Sequence, residues 1–255
     1  METIYIVTAI NNNFAKHMAV MLFSLFQNKK SRNPLVIYVL EADLTEGNKH
    51  KLKKFISRYN AFVHFIKMDD RIFENCLISS HITKETYYRL LIPNLVDHQV
   101  QKVLYLDSDI IVHDDITRLW ETNIDEFFLA AVEDPLGHYR LEALSIPENS
   151  YFNAGVLLIN LSKWREHYIS EQTMRFIAEN PTKIWWWDQD ALNAILFDKW
   201  LKLDMKWNYQ ALSGIPLQYP SIVHFTSPTK PWNGEPPLKE YYDYYAKKLN
   251  WERLR

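Results

Sequence analysis

The chain has 255 residues, 47% hydrophobic and 24% charged, the ordinary balance of a globular protein with one large domain or two small ones. A formal net charge of −2 excludes the basic stripe of a dedicated nucleic-acid binder. The single cysteine, Cys76, cannot form an internal disulfide and suits a reducing compartment, while Met1-Glu2-Thr3 lacks the cationic start of a secretory signal. Apolar runs such as 18–23 are too short to span a bilayer, so a cytoplasmic location is expected.

In chain order, residues 4–8 form a β-branched run and read as a first strand. Asn11, Asn12 and Asn13 then favour a turn or helix start, and 14–26 reads as a largely buried helix. A strand at 35–40, a lysine-faced helix at 44–59 and a strand at 62–66 follow. Residues 83–92 read as a helix stopped by Pro93. Strands are expected at 103–106, 127–132 and 155–159, and one long helix at 161–178. Asp188 is placed to cap a helix running to residue 197, with a strand at 221–225 and a last helix at 238–249. Strands alternating with helices predict an α/β protein with a mostly parallel sheet flanked by helices and an irregular C-terminal part.

The five glycines (Gly47, Gly137, Gly155, Gly214 and Gly234) are too far apart for a G-x-G-x-x-G or a G-x-x-x-x-G-K loop. Any phosphate is therefore held by a metal, a lysine or a few backbone amides. Asp107 and Asp109 stand where the strand at 103–106 ends. Two carboxylates there are costly to bury, and a hard cation such as Mg²⁺ or Mn²⁺ offsets that cost. Ligands of open α/β sheets bind at the carboxyl ends of strands. A solvated turn is the other reading of this triplet.

Four further stretches stand out. Asn153, Ala154 and Gly155 precede a strand, where small residues let a ligand approach the backbone. Trp185, Trp186 and Trp187, followed by Asp188 and Gln189, suit the hydroxyls and apolar face of a sugar, with two of the three tryptophans expected in the core. His224 and Lys230 can contribute a metal ligand and a phosphate contact, although a lone histidine is more often structural. Arg89, in a short aromatic helix, reads by itself as a surface ion pair.

Taken together and in order, ITKETYYRL, KVLYLDSDIIV, YFNAGVLLINLSKW, WDQDALNAIL and HFTSPTKPW resemble the family 8 glycosyltransferases, retaining enzymes of the GT-A fold. The likeness covers about residues 3–233 and is greatest to bacterial members that transfer galactose or glucose. It implies Mn²⁺ bound by Asp107, Asp109 and His224 and by the phosphates of a UDP-hexose, with Lys230 and the backbone at Ser227 near the diphosphate. It places the backbone around Thr8 and Ala9, with the Asn11 and Asn13 side chains, against uracil and ribose, and Ser108 beside the ribose. Arg89, Asn153, Ala154, Gly155, Asp188 and Gln189 would surround the transferred sugar.

Two positions depart from the family pattern. Asn11-Asn12-Asn13-Phe14 stands for the usual Asp-Asp-Asn-Tyr, and Ser227 for a glycine. An Asn carbonyl can still accept from the uracil ring N–H, without the strength of a charge. The resemblance implies Gln189 and Asp188 as the catalytic groups. It implies a single transferase domain over 1–235 followed by a C-terminal helix over 236–255. The expected partners are a UDP-sugar and a glycan, lipid-linked or glycoprotein acceptor, and no nucleic acid. Residues 241–255 mix aromatics with a cationic excess, which suits a final helix packed on the core or a peripheral contact with an anionic membrane. A sugar nucleotidyltransferase is disfavoured, because its first loop is usually glycine-rich. The remaining alternative is a carbohydrate- or nucleotide-binding scaffold of the same fold with weakened catalysis.

Overall fold

A computed structural model describes residues 1–74, 84–210, 214–215 and 217–254. Cys76, Thr83 and Arg255 lie outside the described residues. The strands are β1 (Ile4–Ile10), β2 (Leu35–Glu41), β3 (Ala61–Lys67), β4 (Lys102–Leu106), β5 (Ile110–Val112), β6 (Leu129–Ala131), β7 (Val156–Asn160), β8 (Trp200–Lys202), β9 (Tyr209–Gln210) and β10 (Ile222–His224). The helices are α1 (Ala15–Asn28), α2 (Glu46–Ile56), α3 (Ile92–Leu95), α4 (Thr117–Trp120), α5 (Leu141–Leu144), α6 (Leu161–Glu166), α7 (Ile169–Glu179), α8 (Trp187–Leu196) and α9 (Lys239–Leu249).

Seven strands form the central sheet in the order β3-β2-β1-β4-β7-β6-β8. Only β7 runs against the others, pairing antiparallel with both β4 and β6. The chain moves outward from β1 to β2 and β3, then returns to the other side of β1 as β4. That reversal opens a crevice at the carboxyl ends of β1 and β4. The inner strands β1, β4 and β7 are apolar on both faces because helices cover both. Leu104 and Leu106 of β4 join the core under α1, α2 and α9, whereas Val103 and Tyr105 join the core under α6, α7 and α8. The period-2 alternation of a strand therefore aims Tyr105 to the second side. A smaller sheet, β5-β10-β9, leans on the first. Helix α9 packs against α1, and Tyr242, Tyr245, Leu249 and Trp251 belong to the core.

Several local expectations are corrected. Residues 84–91 form a 3₁₀ helix, and Pro93 sits in the first turn of α3 instead of ending a helix. Proline lacks an N–H, and the first turn of a helix does not need one. The helix expected over 161–178 is two, α6 and α7, broken at Tyr168 with φ +52°. No glycine or proline marks that break. It follows from tertiary anchoring, since Arg165 donates to the carbonyls of Pro93, Val96, Asp97, His98 and Val100, and Trp164 Nε1 donates to Phe128 O. Asp188 does not cap α8. Its helix starts one residue earlier, and Asp190 Oδ2 accepts from Trp185 N and Trp186 N instead. Of the three tryptophans, Trp186 and Trp187 are partly buried and pack against the core, whereas Trp185 is 68% exposed with Arg140 beneath its ring.

Candidate active site

The turn 107–109 joins β4 of the large sheet to β5 of the small one. Its ends are pinned by backbone bonds, Asp107 N to Gly155 O at 2.9 Å and Phe225 N to Asp109 O at 3.1 Å. Strand β10 pairs with β5 in a register that sets His224 opposite Ile110, next to Asp109. His224 Nε2 thereby reaches 3.4 Å from Asp109 Oδ1 and 3.8 Å from Asp107 Oδ2. One ligand atom from each of Asp107, Asp109 and His224 lies within 4.8 Å of the other two.

A chain of amides holds this triad. His224 Nδ1 is 2.9 Å from Asn208 Oδ1, and Asn208 Nδ2 donates to Asn153 Oδ1 at 2.8 Å. Asn208 is thereby oriented with its oxygen toward the ring, so Nδ1 carries the proton and Nε2 keeps its lone pair. Asn153 Oδ1 also accepts from Gly155 N, and its Nδ2 donates to Asp134 Oδ2 at 3.0 Å. The same Asp134 oxygen accepts from Gln189 Nε2 at 3.0 Å, and Gln189 Oε1 accepts from Ala154 N at 2.9 Å. Gly155 leaves room for the imidazole: a Cβ there would stand 2.2 Å from His224 Cε1 and 2.8 Å from Asp107 Oδ2. Two carboxylates and an imidazole lone pair form a donor set that suits Mn²⁺ or Mg²⁺. Lys230 Nζ donates to Asp109 Oδ2 at 2.7 Å and also to Phe225 O. Burial opposes the charge of Asp109, but the Lys230 ammonium outweighs it and holds the carboxyl far below the usual range.

Arg89 is not a surface residue; it is 5% exposed. Its guanidinium sits 4.7 Å over the Tyr105 ring, 3.4 Å from Asp107 Oδ1 and 2.8 Å from Asp188 Oδ2, and it donates to Ala154 O. Burial works against this cation, yet Asp107 and Asp188 more than offset it and raise its pKa. The Arg89 Nε–H is directed at Thr86 O, so Asp188 Oδ2 has an ionic neighbour but no hydrogen bond. Asp188 Oδ1 accepts from Thr86 Oγ1 at 2.7 Å. Burial pushes the Asp188 carboxyl up to about 6, against the pull of Arg89. Trp187, the residue before it, is held at φ +49°, a strained turn of the kind that gathers at functional sites.

Two adjoining cavities, of about 340 and 120 Å³, share Thr86, Arg89, Asp107, Asp109 and Lys230 as a common wall. Asn153, Gly155, Asp188, Gln189, His224 and Ser227 line the larger; Ala9, Asn11 and Ser108 line the smaller. Three of the anticipated residues line neither. Thr8 is wholly buried, Asn13 is exposed, and Ala154 takes part through its backbone alone. Asn11 Oδ1 accepts from Asn13 N at 3.1 Å and so caps the short helix that follows. Sequence reasoning missed Thr86, Asp134, Asn208 and Gln210. Thr86 lies inside a motif and was within reach; the other three carry no local signal.

The segment bearing Ser227 and Lys230 is tied down by rings. Trp232 stacks on His17 at 3.7 Å, and His17 Nδ1 is 2.7 Å from the Tyr242 hydroxyl of α9. Burial, with Lys16 adding to it and Asp109 opposing, lowers the His17 pKa to about 4, so the ring is neutral at pH 7.

A largely parallel sheet with an acid pair at its switch point, completed by a small second sheet, is the GT-A architecture of glycosyltransferases. The solved galactosyltransferase LgtC, in complex with donor and acceptor sugar analogues, superimposes with a TM-score of 0.87 at 24% identity, over 99% of this chain and 100% of that one. The solved glycosyltransferase GlyE of Streptococcus pneumoniae TIGR4 gives a TM-score of 0.79 at 27% identity, over 100% of this chain and 62% of that one. General stress protein A of Bacillus subtilis (strain 168) is 33% identical over 99% of this chain and 96% of its own length. The profile described as Glycosyl transferase family 8 matches residues 5–235, and the chain belongs to that family.

Proposed function

We propose that this protein is a retaining hexosyltransferase that moves galactose or glucose from a UDP-sugar to a glycan, lipid-linked or glycoprotein acceptor, with Mn²⁺, or Mg²⁺ in its place, as metal. The observation that carries this reading is the convergence of Asp107, Asp109 and His224 within 4.8 Å, at a strand-order reversal and beside Lys230. A divalent ion held there supplies Lewis acidity to a diphosphate. Lys230 adds a fixed positive charge where the leaving diphosphate gains negative charge, so no side-chain acid is needed on the leaving group. This differs from the carboxylate pair of a glycoside hydrolase.

Asp188 Oδ2 is the acceptor for a sugar hydroxyl, because it is buried in the cavity wall with no hydrogen bond. Gln189 is anchored at both ends of its amide, and its oxygen keeps a second lone pair for the positive charge that develops on the sugar. An amide is a poor nucleophile. Retention then comes from attack on the leaving-group face, with a diphosphate oxygen taking the acceptor proton. Gln189→Ala is expected to lower turnover by about 10- to 100-fold while UDP affinity changes less than about threefold. Unchanged turnover removes Gln189 from the mechanism.

Melting curves with UDP, Mn²⁺ and both test the function, followed by UDP-release assays over a panel of nucleotide sugars. UDP with Mn²⁺ is expected to raise the melting temperature more than either alone, because ligands that bind the native state stabilise it by mass action. A shift without sugar release from any donor favours the weakened scaffold; no shift removes both readings. The outer face of α9, with Tyr244 52% exposed and Lys247 and Lys248 beside it, is the proposed contact with an anionic membrane. The double change Lys247→Glu and Lys248→Glu should reduce pelleting with anionic liposomes, and equal pelleting ends that idea.

A further inference from the structure

Among the described residues, five buried side-chain polar atoms have no hydrogen-bond partner: Thr8 Oγ1, Glu85 Oε2, Trp120 Nε1, Asp188 Oδ2 and Gln210 Nε2. Such atoms are rare in native proteins and each calls for a cause. Three belong to residues of the cleft. Asp188 and Gln210 line the larger cavity, and Glu85 lines the smaller one together with Ala9, Asn11 and Phe14. Glu85 makes no ion pair with any described lysine or arginine, and it lines this small cavity, whose wall also holds Arg89 and Lys230.

We propose that Glu85 recognises the nucleobase, its Oε2 accepting the ring N–H of uracil. The assignment rests on the nucleotide-sugar reading above and deepens it. The smaller cavity shares its metal-side wall with the larger one through Asp107, Asp109 and Lys230, so it continues away from the diphosphate toward β1. Uracil presents a ring N–H between two carbonyl oxygens, and complementing it takes an acceptor beside a donor. The side-chain acceptor of the loop after β1 is a neutral one. Asn11 Oδ1 already accepts from Asn13 N, which fixes the amide, leaves its oxygen one lone pair and keeps its NH₂ as a donor. Phe14, the other side chain that this loop contributes to the cavity, has no polar atom. Glu85 Oε2 is the stronger acceptor, a carboxylate oxygen that no hydrogen bond engages. An ionised carboxylate only accepts, so it also repels the ring-nitrogen lone pair that cytosine presents at the same position. Glu85 therefore selects uridine over cytidine, and it does so without the acidic residue usual in the first loop of the family.

The test is calorimetric titration of wild type, Glu85→Ala and Glu85→Gln, each with Mn²⁺, using UDP, CDP, N3-methyl-UDP, 2′- and 3′-deoxy-UDP and inorganic pyrophosphate. Wild type is expected to bind UDP about 10- to 100-fold more tightly than CDP or N3-methyl-UDP. In Glu85→Ala that preference should shrink to within about threefold, with pyrophosphate affinity unchanged. Glu85→Gln keeps an oxygen and adds a donor, so it should gain affinity for CDP relative to UDP; it also carries the comparison if the alanine variant fails to fold. Preference that survives intact in both variants overturns the assignment. So does a loss confined to discrimination against 2′- or 3′-deoxy-UDP, which would place Glu85 on the ribose. Failure of wild type to bind UDP at all overturns the nucleotide reading itself, and is distinguished by the absence of any wild-type preference.

Discussion

Asp109→Asn should abolish sugar transfer, by about 10³-fold or more, and Mn²⁺ affinity should fall with it. The carboxylate has two partners at once: Oδ2 lies 2.7 Å from Lys230 Nζ and Oδ1 lies 3.4 Å from His224 Nε2. The amide keeps the shape but not the charge. It cannot offset a divalent cation, and its NH₂ either opposes the Lys230 ammonium or occupies the imidazole lone pair that the metal would need. Removing one preorganised group of this kind costs about 10²–10³ in rate, and loss of the metal adds several kcal/mol of lost charge stabilisation. Asp107→Asn should behave similarly, since Asp107 Oδ1 also takes the Tyr105 hydroxyl at 2.7 Å and lies beside Arg89. Manganese titration, assayed transfer and circular dichroism on the same preparations decide the matter. A folded Asp109→Asn protein with wild-type transfer would falsify the metal site.

The second large effect comes from a methyl group. Gly155→Ala puts a Cβ 2.2 Å from His224 Cε1 and 2.8 Å from both Asp107 Oδ2 and His224 Nδ1. Real side chains do not approach so closely, so the imidazole must swing away or β7 must shift. The imidazole cannot swing freely, because Asn208 grips its Nδ1. The strand cannot shift freely either, because Gly155 O accepts from Asp107 N and Gly155 N donates to Asn153. Every escape displaces a residue of the proposed metal site. Mn²⁺ affinity should drop by about 10- to 100-fold, as when a ligand's supporting group is lost, and overpacking should cost about 1–3 kcal/mol of stability. Gly47→Ala is the control: nothing lies within 4 Å of a Cβ there, and metal affinity should not change. Equal Mn²⁺ affinity in Gly155→Ala and wild type would mean that the imidazole is not a ligand.

Much of the fold is legible in neighbouring residues. The apolar runs at β1, β2 and β4 are strands because buried parallel strands need apolar side chains on both faces. The acids of 107–109 are visible because they interrupt such a run. The scarcity of glycine removes phosphate loops by composition alone. The breaks are less visible. Tyr168 ends a helix at a left-handed residue that no sequence rule favours, and Trp187 does the same at the start of α8. Both conformations are held by contacts made elsewhere in the chain.

What adjacent residues encode is local: where a strand stops, which side chains alternate, whether a glycine-rich turn exists. The acid pair, the small residues at 153–155 and the acid and amide at 188–189 could therefore be found in the chain itself. Which of them meet is a matter of long-range pairing. His224 joins the aspartates only through the register of β10 on β5, and Arg89 is buried only because Asp107 and Asp188 close on it from two distant segments. Asn208 and Asp134 carry no motif, and Glu85, although inside ITKETYYRL, carries no signal there that sets it apart. Their roles arise from hydrogen bonds made or left unmade in the folded molecule, since a polar atom acquires a need for a partner only once folding has removed it from water.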